Sequence, residues 1–269
     1  MTWQIFATRP ATAEGLTEGL TKGTVAHKCI VVDAGDLPAV VGDALDRGFR
    51  RIGVEGEDPI LAATIEEIRA RGVGRQTDLV VVSRTSDLMR TFAADQTVAG
   101  AVDRMVNHTP YLVDAGHIEG DFGQMVFVNS VAAGVLAGGP GWFPWWPWPL
   151  LPVRGVAVAS GDSATEAVAS GALVLNGQFW GDRVVAPRST TVDGMLDIQM
   201  YNGHRIALSR LRRTMRTGMH VRSHHVRRRS LAGAFIDAPA AWRVSVDGIR
   251  IGKGAFRVTC LPGAVRLAI

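Results

Sequence analysis

At 269 residues the chain is long enough for one large domain or two modest ones, and either arrangement can bury a full core. Hydrophobic residues make up 47% and charged residues 20%, which excludes a disordered chain. The formal net charge is +4 yet the pI is near 9.6, because arginine dominates the cations and Lys22, Lys28 and Lys253 are the only lysines.

The first hundred residues alternate short apolar runs with helix-period segments. Trp3–Ala7, Lys28–Val32, Arg51–Val54 and Asp78–Ser83 read as strands, the last apolar enough to be buried on both faces. Between them Leu37, Val40, Val41, Ala44 and Leu45 sit at helical spacing, as do Ile60, Leu61, Ile65 and Ile68. A further helix is expected over Val98–Val106. Such alternation implies βαβ units and a Rossmann-like, mainly parallel sheet, with ligands expected at the carboxyl ends of its strands.

After about residue 107 the pattern changes. Tyr111–Ala115, Met125–Ser130, Val153–Ala159, Ala172–Asn176, Leu196–Tyr201, Ala232–Asp237, Trp242–Val246, Phe256–Leu261 and Val265–Ile269 read as short strands. Turns such as Val192–Gly194 and Val246–Gly248 separate them, and one basic helix interrupts from about His204 to Thr217. The expected architecture is an α/β domain over residues 1–107 followed by an antiparallel, β-sandwich-like domain over 108–254. Residues from about 255 to 269 are open to returning to the first domain.

Several function classes drop out. Ser130–Val153 is uncharged and long enough for a membrane span, but its prolines (Pro140, Pro144, Pro147, Pro149 and Pro152) forbid one continuous helix in hydrocarbon. The N-terminus lacks a basic segment followed by an apolar one, so no signal peptide is expected and the chain reads as cytoplasmic. Cys29 and Cys260 sit in apolar contexts and read as buried free thiols. His224 and His225 lie in a basic stretch and no Gly-x-Ser-x-Gly elbow occurs, so zinc and hydrolase chemistry have no support.

Four blocks in the second half carry a resemblance. They are Tyr111–Gly116 with Phe127–Ser130 and Gly134; Leu175-Asn176-Gly177 with Gly181; Ala186-Pro187 with Val192–Asp197; and Gly218-Met219-His220 with Val244–Gly248. In this order and spacing they resemble the signature of the bacterial diacylglycerol/sphingosine kinase family. A nicotinamide dinucleotide kinase shares part of the first-half pattern, but the likeness is strongest to the lipid kinases. The resemblance implies ATP-dependent phosphorylation of a lipid hydroxyl with magnesium. The alternative is a pseudokinase that keeps a lipid-binding or regulatory role.

The first half fits that family by position and departs from it by residue. Where the family has a glycine-rich phosphate loop after the third strand, this chain has Glu55-Gly56-Glu57-Asp58-Pro59. The second nucleotide motif is replaced by Ser83-Arg84-Thr85-Ser86-Asp87, and the opening segment is reduced to Thr8-Arg9-Pro10. Glycine serves such loops because it lets backbone amides approach phosphates, and carboxylates repel them. The resemblance nonetheless places nucleotide binding on Gly56, Glu57, Asp58, Arg84, Thr85 and Asp87, with Arg84 suited to a phosphate contact. Asp87 reads equally as a helix cap. The resemblance makes Asp247 the general base, although Ile249 stands where the family has a glutamate. Asp247 reads equally as a hairpin-turn residue. By the same resemblance Asp193 and the carbonyl of Met195 hold a structural magnesium; a plain turn is the alternative.

Two features point to a lipid surface. Between His204 and Arg229 lie nine arginines and no acidic residue, a cluster attracted to anionic headgroups. A solvated helix face is the alternative, and nucleic acid is set aside. Trp142, Trp145, Trp146 and Trp148 crowd among prolines, as suits a bilayer interface. Packing between domains or between two copies of the chain is the other reading. Location at the inner face of a membrane is therefore expected.

Overall fold

The computed structural model describes residues 2–107, 109–140, 154–161, 163–202 and 205–269. The tryptophan-rich segment and His204 lie outside these. The chain forms two compact units: residues 1–114 with 262–269, and residues 115–261.

The first unit alternates strand and helix: β1 (Trp3–Ala7), α1 (Pro10–Lys22), β2 (His27–Val31), α2 (Leu37–Asp46), β3 (Arg51–Glu55), α3 (Asp58–Ala70), β4 (Asp78–Val82), α4 (Asp87–Thr91) and α5 (Val98–Asn107). The strands run parallel in the order β2-β1-β3-β4, and Arg266–Leu267 near the chain end adds a further parallel strand beside β4. Right-handed crossovers then place α1 and α5 on one face and α2 and α3 on the other. β1, β3 and β4 are almost wholly buried, as expected of strands covered on both sides.

Helix α1 is an element the periodicity did not reveal. Its only buried residues are Thr12, Leu16 and Leu20, and Gly15 and Gly19 interrupt it. Those glycines let α5 approach: a Cβ on Gly19 would lie 2.8 Å from a Val102 methyl, and one on Gly15 3.2 Å from a Val98 methyl. Close packing therefore outweighs the poor helix propensity of glycine.

The second unit is an antiparallel sandwich. Its strands are β5 (Tyr111–Gly120, entering from the first unit), β6 (Gly123–Phe127), β7 (Ser130–Gly134), β8 (Arg154–Ser160), β9 (Ser163–Ala169), β10 (Gly171–Leu175), β11 (Phe179–Trp180), β12 (Arg183–Val184), β13 (Leu196–Tyr201), β14 (Val226–Leu231), β15 (Gly233–Asp237), β16 (Arg243–Val246), β17 (Ile249–Lys253) and β18 (Phe256–Leu267). Helix α6 (Arg205–Met215) precedes β14. One sheet runs β14-β13-β10-β7-β16-β17; the other joins β9, β8, β15 and the first half of β18. Alternate residues such as Val131, Val174, Ile198 and Val246 meet Val156, Ile236 and Val258 in the core between them. On the outer face of the six-stranded sheet, Leu211 and Met215 of α6 pack on Leu173, Leu175 and Tyr201.

β18 replaces the two strands expected over Phe256–Leu261 and Val265–Ile269. Pro262 is tolerated because it falls where the strand changes partners: residues up to Thr259 pair with β15, and Arg266–Leu267 pair with β4. Cys29 and Cys260 are both free thiols; Cys260 is buried, while Cys29 is half-buried because β2 is an edge strand.

Candidate functional site

In the first unit the chain leaves β1 for β2 on one side and later returns to β3 on the other. The crevice at the carboxyl ends of β1 and β3 is thus the topological switch point, where sheets of this kind take their ligands. Glu55, the last residue of β3, fills it. The side chain is 3% exposed, and its carboxylate accepts hydrogen bonds from the amides of Thr8 (2.7 Å) and Arg9 (3.0 Å) and from the Thr12 hydroxyl (2.8 Å). The Arg9 guanidinium completes the set, with Nε (2.5 Å) and a terminal nitrogen both reaching Oε1, the oxygen that also takes the Thr12 hydroxyl. Burial by itself raises the Glu55 pKa, but bonds from Thr12, Arg9 and the two amides outweigh it and hold the carboxyl below its ordinary value. A carboxylate of the protein itself therefore sits at the N-terminus of α1, where the helix dipole favours an anion.

The neighbouring loops are closed in the same way. Asp58, buried in the first turn of α3, accepts from the Ser86 hydroxyl (2.5 Å) and the Asp87 amide (3.1 Å). Glu57 accepts from the Thr85 hydroxyl. Ser83 Oγ takes the amides of Thr85 (3.3 Å) and Ser86 (3.1 Å), and Ser86 Oγ caps α4 by accepting from Met89 N (3.1 Å). Asp87 pairs with Arg90 (3.1 Å) in the first turn of α4. The Gly56 amide donates to the Val82 carbonyl (3.0 Å). A Cβ on Gly56 would meet Ile60 at 2.6 Å, so this glycine makes room for a helix side chain.

These residues do not fit a triphosphate. A phosphate cradle needs free amides, and those of Thr8, Arg9, Gly56, Thr85, Ser86 and Asp87 are engaged within the protein, while Pro59 has none. Of the sequence candidates here, Glu57, Asp58, Thr85 and Asp87 are joined in one network. Arg84 stands apart, exposed and with no ion pair among the described residues. Ser83, which joins that network, and Thr12, which bonds Glu55, carry no motif that marks them in the sequence.

In the second unit, Asp247 and Gly248 both have positive φ (45° and 87°), as a two-residue Asp-Gly hairpin between β16 and β17 requires. The Asp247 carboxylate accepts from the amides of Val128 (2.9 Å), Asn129 (3.0 Å) and Ser130 (2.7 Å), tying the β16–β17 turn to the link between β6 and β7. These three amides take up most of the roughly four acceptor sites of the carboxylate. Asp193 is exposed and accepts from the Met195 amide (3.0 Å), an Asx turn leading into β13. Among the described residues no group of three or more His, Cys, Asp or Glu side chains is placed to hold a metal ion.

A buried polar row also lies under α6. Gln199 Nε2 donates to Asp197 (2.8 Å) and to the Val185 carbonyl (2.8 Å), and Gln199 Oε1 accepts from the Tyr201 hydroxyl (2.6 Å). Arg228 of β14 closes the row on buried Asp197. His220 is fully buried, stacks on Tyr201 with ring centroids 6.1 Å apart and lies 3.3 Å from Gln199 Oε1. Burial pushes its pKa down to about 4, so it is neutral at physiological pH.

Residues 152–269 match the YegS C-terminal NAD kinase beta sandwich-like domain family. The whole chain superposes on a diacylglycerol kinase structure from Bacillus anthracis str. Sterne (TM-score 0.77, 14% identity, 99% of this chain and 96% of that one). The chain has the fold of the diacylglycerol kinases. This agrees with the resemblance carried by the sequence motifs. An NAD kinase from Archaeoglobus fulgidus, solved in complex with ATP, is more distant (TM-score 0.51, 9% identity, 97% of this chain and 90% of that one). No curated protein matches the chain. No helix among the described residues is long and apolar enough to cross a membrane.

Proposed function

We propose that this chain is a non-transferring relative of the diacylglycerol kinases, a lipid-binding or regulatory protein in which the nucleotide half serves as scaffold. The observation that carries the reading is the occupied switch point: the Glu55 carboxylate takes the two amides, the hydroxyl and the guanidinium that an incoming phosphate would need. Asp247 supports it, since a carboxylate fastened by three amides is a poor candidate to receive a lipid hydroxyl proton. Ile249, exposed where the family has a glutamate, supports it further. Lipid as the ligand class follows from the diacylglycerol kinase likeness of the sandwich unit.

Phosphorylation of a lipid by ATP and magnesium is the competing reading, and one observation favours it. Arg84 is exposed at the end of β4 without a carboxylate partner among the described residues, a placement open to a phosphate. The deciding experiment incubates purified protein with labelled ATP, magnesium and diacylglycerol micelles, alongside calorimetric titration of Mg-ATP. The expected result is no labelled lipid and no heat of binding. Labelled lipid that disappears in Asp247→Asn, with the variant still folded, would overturn the proposal.

A further inference from the structure

In α6, Leu211 and Met215 point onto the outer face of the six-stranded sheet. Helical spacing then turns Arg210, Arg213 and Arg216 outward, and all three are exposed. The 3-10 turn that follows, Met219–Arg222, packs on α6 and adds exposed Arg222 and Met219, the latter 51% exposed. From Asn202 to Leu231 there is no acidic residue. Arg210, Arg213 and Arg222 have no carboxylate partner among the described residues; Arg216 reaches Asp182 at 4.0 Å, a pair in which both side chains are about two-thirds exposed and which holds little.

We propose that this face, Arg210, Arg213, Arg216 and Arg222 around Met219, docks the protein on an anionic phospholipid surface. The helix dipole accounts for cations in the last turn of α6, but not for Arg210 a turn earlier or Arg222 beyond the helix. Four guanidinium groups beside an exposed thioether suit a bilayer interface: the charges meet headgroup phosphates and the apolar side chain enters the acyl boundary. Met219 has no counterpart contact on a phosphodiester backbone. No Phe, Tyr or Trp occurs from Asn202 to Leu231 to stack bases, which disfavours single-stranded nucleic acid. The surface acts whether or not nucleotide binds, so it stands apart from the preceding proposal.

Sedimentation with phosphatidylcholine vesicles, with and without about one-third phosphatidylglycerol, tests it. The wild-type protein is expected to sediment only with the anionic vesicles and to be released as salt rises. Each arginine is worth roughly fivefold in partitioning, so Arg210→Gln, Arg213→Gln and Arg222→Gln together should lower it about 100-fold. An unchanged thermal midpoint verifies that the variant is folded. Met219→Ser should lower partitioning severalfold even at raised salt. Equal sedimentation with both vesicle types, or a triple variant that binds like wild type, would overturn the proposal. So would tighter binding to a single-stranded oligonucleotide lost in the same triple variant.

Discussion

The switch-point loops of the first unit and the turns of the second unit treat their motifs in opposite ways. In the first, the residues that stand where the resemblance would put the nucleotide motifs bond to one another: Glu55 with Arg9 and Thr12, Asp58 with Ser86, Glu57 with Thr85. In the second, the motif residues remain, but Asp247 and Asp193 bond to backbone amides. Motif retention in the sandwich therefore reports a fold that needs these turns. It carries little information about turnover, because an aspartate that holds a loop looks in sequence like one that takes a proton.

The sharpest way to break this comparison is at Asp247. Replacing it by Ala strands three amide donors and puts a Cβ residue without a turn-forming side chain at positive φ. We expect a loss of about 4 kcal/mol in urea unfolding. Asp247→Asn, which tolerates the turn, should lose roughly half as much. A variant as stable as wild type would separate Asp247 from the fold and return it to chemistry.

The buried row under α6 gives the next effect. His220 has a folded pKa of about 4 against about 6.5 for an exposed histidine, so the unfolded chain binds its proton first as pH falls. Its contribution is complete above pH 6.5 and is lost progressively toward pH 4, by about 3 kcal/mol in all. Thermal midpoints measured across that window should fall, and less steeply in His220→Gln. Identical slopes in the two proteins would remove His220 from the row's energetics.

The smallest effect is expected at the first unit's switch point. Glu55→Gln keeps the shape and removes the charge, and should cost about 2 kcal/mol, reduced from a fully buried pair because Arg9 is half-exposed. The Glu55 carboxyl is held below its ordinary pKa. Its stabilisation is therefore present above the usual carboxylate range and lost as pH falls through the lower, folded value. In Glu55→Gln that acid limb should flatten. If the variant instead gains stability at neutral pH, the occupied switch point is not a structural fastener.

Much of the architecture was legible because its signals are local. Buried parallel strands such as Asp78–Val82 and the helix carrying Ile60, Leu61, Ile65 and Ile68 are written in spacing alone. Elements without that spacing were not. β14 reads Val226-Arg227-Arg228-Arg229-Ser230-Leu231, and it is a strand because it pairs with β13 at a sheet edge and sends Arg228 to buried Asp197. β9 and β17 are edge strands too, and mixed sequences suit edges.

The two-part grammar and the helices α2, α3 and α5 could be read from the chain alone, since each depends on residues within a few turns of one another, and the kinase likeness rests on short blocks that are each local. The tertiary structure decided what the charged groups do. Glu55 meets Thr8 across 47 positions and Asp247 meets Val128 across 119, and no local pattern encodes an encounter at that separation. A carboxylate's role is set by the donors that fold onto it, and those donors are mostly backbone amides, which every residue but proline carries.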